Sequence, residues 1–158
     1  MRFRPSLTES RGKLLSNASC GQPVHAGSFI RKREIVLESE LRDEPEELAR
    51  IFVHELFHFV WVRLGNPRRE SYERMISNEI VRRARGELGW SAQERKSRLN
   101  SALINAAWKA YVCESFCDTA AFLYSGCNSH EEFTLAERWR QKRVRWFDES
   151  VGRRMLSI

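Results

Sequence analysis

The chain has 158 residues, of which 42% are hydrophobic and 30% charged, enough for one domain with a real apolar core. No apolar run reaches the length that crosses a bilayer, and the longest, Leu56 to Val62, is interrupted by His58, so no membrane partner is expected. The net charge of +6 hints at an acidic partner, nucleic acid or an anionic substrate, but only weakly, because the arginines are spread along the chain. Met1-Arg2-Phe3-Arg4-Pro5-Ser6 has charge with no apolar stretch behind it, so a cytoplasmic location is expected. Four cysteines, Cys20, Cys113, Cys117 and Cys127, are few for a disulfide scaffold and are expected as thiols.

Residues 1–23 carry Pro5, Gly12, Gly21 and Pro23 and little periodicity. They read as a loop-rich segment with a short helix from Leu7 to Leu15. From Val24 to Leu41 the clusters Phe29-Ile30 and Ile35-Val36-Leu37 flank Arg31-Lys32-Arg33-Glu34. That pattern predicts a β-ribbon with a strand near Glu34–Glu38. No other part of the chain has strong strand character.

Glu44 to Leu64 reads as a helix, with Asp43 and Glu46 as a capping pair, Pro45 in the first turn and Gly65-Asn66-Pro67 as the stop. A second helix is expected from about Arg69 to Leu88, ended by Gly89, with Tyr72, Met75, Ile76, Ile80 and Leu88 near helical spacing. Ser91-Ala92-Gln93-Glu94 reads as a capping box opening helical structure to Tyr124, broken near Asn100 and ended by Ser125-Gly126. Ser129-His130-Glu131-Glu132 reads as another, opening a C-terminal helix (129–150) that runs through about Asp148. No repeat or linker is visible, so residues 1–158 are expected as one domain. The expected fold class is α+β, predominantly helical, with a small antiparallel ribbon or sheet beside the Glu44–Leu64 helix. Arg138, Arg140, Lys142, Arg143 and Arg145 interleave with Trp139, Trp146 and Phe147. Such interleaving can bind nucleic acid, but it is more often a core stripe with a solvated face.

The chemistry concentrates in His54-Glu55-Leu56-Phe57-His58. On a helix, residues i and i+4 share a face, so both imidazoles can reach one metal ion. Glu55 lies about 100° from His54 and about 60° from His58 around the helix. It is placed to touch a metal-bound water rather than the metal. The surrounding residues, Ile51 to Val53 and Phe59 to Val62, are apolar on nearly every side, which marks a buried helix. Two buried histidines and a glutamate need a partner, and a metal ion supplies one.

Catalytic zinc takes three protein ligands. The spacing H-E-x-x-H-x-x-G-x-x-H is excluded, because Trp61 and Leu64 occupy the later positions. The best third ligand is Glu114, with Asp118 one turn on as a carboxylate that accepts the free N–H of a zinc-bound histidine. These two are the only acids between Glu94 and Glu131. Glu79, His130 and Asp118 itself are rivals for the third position. Cys113 and Cys117 are also one turn apart, but without a C-x-x-C pair they read as buried thiols.

The motif followed by Glu114-Ser115-Phe116-Cys117-Asp118 resembles the gluzincin metallopeptidases, in particular the minigluzincins and the ImmA/IrrE-type proteins. The likeness runs from about Arg31 to Ala121. It implies a zincin-like fold holding Zn2+ on His54, His58 and Glu114, with Glu55 as general base and Asp118 as the partner of His54. It also implies that Arg33-Glu34-Ile35-Val36-Leu37 is an edge strand aligning a peptide or protein substrate by strand addition. The 55 residues between His58 and Glu114 exceed the spacing in many members, so a helix is inserted. The function expected is a zinc endopeptidase acting through a metal-activated water, with Tyr111, Tyr124 or His130 as oxyanion donor. The alternatives are a zinc-binding regulatory or DNA-associated module with little peptidase activity, and a purely helical structural protein without metal. The oligomeric state is not readable.

Overall fold

The computed structural model describes residues 1–10, 13–17, 20–99 and 106–152. Among these residues six short strands come first: β1 (Arg2–Arg4), β2 (Leu7–Ser10), β3 (Lys13–Ser16), β4 (Gln22–Pro23), β5 (Ala26–Phe29) and β6 (Glu34–Glu38). Five helices follow: α1 (Pro45–Arg63), α2 (Asn66–Val81), α3 (Trp90–Ser97), α4 (Ala106–Tyr124) and α5 (Glu137–Ser150). The architecture is α+β and predominantly helical. Among the described residues no helix is long and apolar enough to cross a membrane.

β6 forms where the Ile35-Val36-Leu37 cluster predicts it, but it lies in the middle of its sheet, in the order β1-β6-β5. A central strand is covered on both faces and reads as a continuous apolar run, and all three of these residues are buried. β1 pairs with it in parallel (Arg2↔Val36) and β5 antiparallel (Ala26↔Leu37). The expectation that Arg33–Leu37 forms the open edge is therefore corrected: beside the helices, the edge is β5.

The expected helix over Leu7–Leu15 is replaced by the antiparallel strands β2 and β3 (Leu7↔Ser16), with β4 on the other side of β2. These strands are two to four residues long and half or fully exposed at every position but Leu7, too short to imprint an alternating pattern. The loop-rich reading of residues 1–23 fails for the same reason.

α1 explains its apolar surround by its position. Ile51 and Phe59 pack with Ile35, Leu37 and Leu41 of the sheet side. Phe57, Val60 and Leu64 pack with Val112 and Phe116 of α4 and with Phe147 of α5. Pro45 opens the helix as expected, but Asp43 lies in the preceding 3-10 turn and no side chain caps α1. The Gly65-Asn66-Pro67 stop also starts the next helix: Gly65, at φ +79°, precedes Asn66 of α2.

α2 ends at Val81, seven residues before the expected Leu88. The 84–88 segment peels away to meet the 133–135 segment, where the Thr134 and Leu135 N–H groups donate to the Glu87 carbonyl (2.9 Å each). Leu88 joins Phe133, Leu135 and Trp139 in a second apolar cluster. The same pairing keeps residues 129–136 out of a helix, so α5 starts at Glu137 and the expected Ser129–Glu132 capping box does not form. Ser91 does not cap α3 either, being its second residue. Instead the first turn of α3 takes two distant carboxylates: Trp90 N–H donates to Glu132 (2.7 Å) and Ala92 N–H to Asp118 (2.9 Å). The break expected at Asn100 lies outside the described residues.

Arg143 is fully buried. Its guanidinium reaches Glu79 (2.7 Å) and Glu87 (2.8 Å), and Glu87 also takes Lys96 (2.9 Å) and the Tyr111 hydroxyl (2.6 Å). Arg140 donates to the Leu135 and Phe133 carbonyls. Arg138 and Lys142 lie over the Trp139 ring, so four of the five basic residues of the C-terminal stripe make contacts within the protein.

Candidate metal centre

α1 turns His54 and His58 toward α4, their ring centroids 5.0 Å apart and nearly perpendicular. α4 answers with Glu114, whose Oε2 lies 3.3 Å from His54 Nε2 and 3.7 Å from His58 Nε2. Two N or O ligands held about 2.0–2.1 Å from one tetrahedral ion stand about 3.3–3.4 Å apart. Glu114 Oε2 therefore lies close to the spacing a zinc shell needs from each of the two imidazoles. Each imidazole is anchored through its other nitrogen: His54 Nδ1 to Asp118 Oδ1 at 2.7 Å, and His58 Nδ1 to the Cys113 thiol at 3.6 Å. Anchored in this way, both rings present Nε2 to the shared centre.

Asp118 does two jobs. One oxygen holds His54 and the other accepts the Ala92 N–H at the start of α3, where the helix dipole favours a negative charge. A Cβ on Gly89 would collide with this carboxylate, so a glycine is required there by close approach.

The charges fit a cation site. Burial works to raise the Glu114 carboxyl, but the hydrogen bond from His54 and the charges of His58, His54 and Arg95 bring it down to about 2. Burial opposes protonation of His54, yet the charge and hydrogen bond of Asp118, with help from Glu114, raise it well above its ordinary value.

Glu55 is buried beside the two histidines. Ser28 of β5 holds it: Ser28 Oγ lies 2.5 Å from Glu55 Oε2 and 2.8 Å from the Glu55 carbonyl. A pocket of about 400 Å³ opens here, lined by Gly27, Ser28, His54, Glu55, His58, Ser91 and Glu114 among others. A second pocket, of about 340 Å³, shares His54, Glu55 and Ser91 and runs on past Val24, Ala26 and Trp90. Together they form a groove with β5 on one wall and the start of α3 on the other.

The Glu38 N–H bonds to the His25 carbonyl (2.8 Å), which sets the alternation along β5. Residues 25, 27 and 29 then face β6, while Ala26 and Ser28 turn their N–H and C=O groups outward. Val24 obeys the same alternation: its N–H points away from β6 and donates to the Leu7 carbonyl (3.1 Å).

The expected oxyanion donors do not reach this groove. Tyr111 is buried, with its hydroxyl on Glu87. Tyr124 stacks on Phe57, ten residues and about 15 Å along α4 from Glu114. His130 lies by Glu47 (Nε2 to Oε2, 3.3 Å), in a neighbouring acidic pocket with Glu44, Glu46 and Glu132 that His54, Glu55 and Glu114 do not line. His130 and Glu79 are likewise removed from the third-ligand position. Arg95 stands nearer than any of the three tyrosine and histidine candidates, with Nη2 3.9 Å from Glu114 Oε1. Sequence reasoning missed Ser28, Gly89, Cys113 and Arg95. Their roles come from strand register and helix packing, which leave no local pattern.

One rival to Glu114 is real. The Cys117 thiol and one nitrogen from each of His54 and His58 all lie within 4.8 Å of one another. Glu114 lines the pocket and its carboxyl is held low, whereas burial and the neighbouring Cys113 push the Cys117 thiol well up. No protein-family model, no curated protein and no solved structure matches the chain.

Proposed function

We propose that the chain is a zinc-dependent endopeptidase of the gluzincin kind. The observation that carries this reading is the meeting of His54 Nε2, His58 Nε2 and Glu114 Oε2, with Glu55 beside them on the wall of an open groove. His54, His58 and Glu114 would hold the zinc, which supplies Lewis acidity for a peptide carbonyl and for water. Asp118 and Cys113 keep the two imidazoles aimed. Ser28 occupies Oε2 of Glu55, which leaves Oε1 to take the proton of the attacking water and hand it to the leaving amine. Arg95, with Nη2 3.9 Å from Glu114 Oε1, is a cation beside the centre that could meet charge developing on the carbonyl oxygen. An extended peptide would add to the outward groups of Ala26 and Ser28 and lie antiparallel or parallel along β5.

The test joins metal content to hydrolysis of a peptide library. The purified protein is expected to carry one zinc per chain, which His58→Ala removes. Glu55→Gln should retain zinc and lose hydrolysis by a factor of at least about a hundred, the worth of a positioned acid–base group. Full turnover in that variant, or wild-type protein with no zinc, rejects the reading.

A further inference from the structure

Over little more than one turn, α4 directs four donor side chains at the two histidines: Cys113, Glu114, Cys117 and Asp118. Asp118 and Cys113 hold the outer nitrogens, and Glu114 faces the groove. Cys117 is the fourth, and its thiol hydrogen-bonds to that of Cys113. It is fully buried on the protein side of the centre and is not among the residues lining the groove. Yet its Sγ and one nitrogen of each histidine all lie within 4.8 Å of one another. A sulfur and a nitrogen bound to one tetrahedral ion stand about 3.6 Å apart, so a side-chain adjustment rather than a movement of α4 suffices to bring the thiol to the imidazoles.

Building on the metal-site reading, we propose that Cys117 is a fourth donor of this centre, recruited by thiophilic divalent cations. Glu114 offers a hard oxygen from the solvent side and Cys117 a soft sulfur from the protein side, while the two imidazoles serve both. Soft ligands select soft ions, and carboxylates harder ones. With three protein ligands the centre keeps an open position for substrate. With Cys117 added it becomes a closed four-ligand site of the structural type. Recruitment breaks the S–H bond, forms an S–metal bond and releases the proton to solvent, with no oxidant needed. The identity of the bound ion thereby decides whether the centre is open or closed.

Cd2+ alone is the probe, added to the full chain carrying Cys20→Ser and Cys127→Ser so that distant thiols are silent. One equivalent is expected to produce the thiolate-to-cadmium absorption band in the ultraviolet. Cys117→Ser and Cys117→Ala should abolish the band, and Cys113→Ser should keep it. X-ray absorption of the unmutated cadmium form, which needs no variant to fold, should count one sulfur neighbour. Stoichiometric binding with no sulfur neighbour, or a band that follows Cys113, overturns the proposal and leaves the zinc reading standing. Failure to bind either Zn2+ or Cd2+ removes both.

Discussion

Among single residues, Asp118 has the sharpest consequences. It holds His54 Nδ1 with one oxygen and the first turn of α3 with the other. Asp118→Asn keeps the shape but weakens acceptance of the imidazole N–H, so zinc affinity should fall by about 10- to 100-fold. Competition against a chromophoric chelator measures this. Gly89→Ala is expected to act in the same direction from outside the ligand set, because its methyl group needs the space of the Asp118 carboxylate. Unchanged affinity in both variants would remove Asp118 from the centre. The two histidines and Glu55 are visible in the sequence because their spacing is local. Glu114 and Asp118 are partly visible, as lone acids on an apolar helix. Ser28, from β5, is not: its contact with Glu55 depends on how a strand lies against a helix.

At the level of elements, the groove depends on β5 being an edge. The backbone of Ala26 points away from β6, so a proline there removes no bond of the sheet, and edge positions tolerate it. Ala26→Pro should therefore leave thermal stability and zinc content near wild type. It should raise KM for peptides about fivefold to tenfold, the worth of one backbone hydrogen bond. An unaltered KM would mean that substrate does not add to this strand. The strand order also shows why the edge was misassigned. The Ile35-Val36-Leu37 cluster is the strongest strand signal in the chain, and strong apolar signals belong to central strands buried on both faces. The edge strand, Ala26-Gly27-Ser28-Phe29, is plain in comparison. Helix ends erred for a related reason. The Ser91 and Ser129 capping patterns are locally sound, but the first turn of α3 draws its carboxylates from Asp118 and Glu132, and residues 133–135 are held by Glu87.

In the molecule as a whole, the buried Arg143–Glu79–Glu87 cluster ties α2, the 84–88 segment and α5, with Lys96 of α3 and Tyr111 of α4 completing it. Arg143→Leu leaves Glu79 enclosed without its cation and Glu87 with Lys96 alone, and should cost roughly 3–5 kcal/mol in denaturant unfolding. Burial acts to raise the Glu87 carboxyl, but the charge and hydrogen bond of Arg143, with Lys96 and Tyr111, lower it below the ordinary 4.5. A carboxyl depressed by folding stabilises above its unfolded value, where both states are ionised. That contribution drains away as pH falls below about 4.5 toward the lower folded value. Denaturation midpoints from pH 7 down to pH 3 should therefore fall in the wild type, and less steeply in Glu87→Gln. Equal slopes in the two proteins would assign the acid sensitivity elsewhere.

Periodic and local features were settled by the sequence alone: the α+β class, the apolar helix that carries His54, Glu55 and His58, the strand at Glu34–Glu38, and the absence of a membrane-length helix among the described residues. These follow from side-chain spacing on one element, which the chain carries by itself. Tertiary structure alone decided that β5 forms the edge, that Ser28 meets Glu55, that the start of α3 rests on two distant carboxylates, and that Arg143 lies inside. Each of those contacts joins residues more than 25 positions apart, and their pairing is chosen by how whole layers bury their apolar faces.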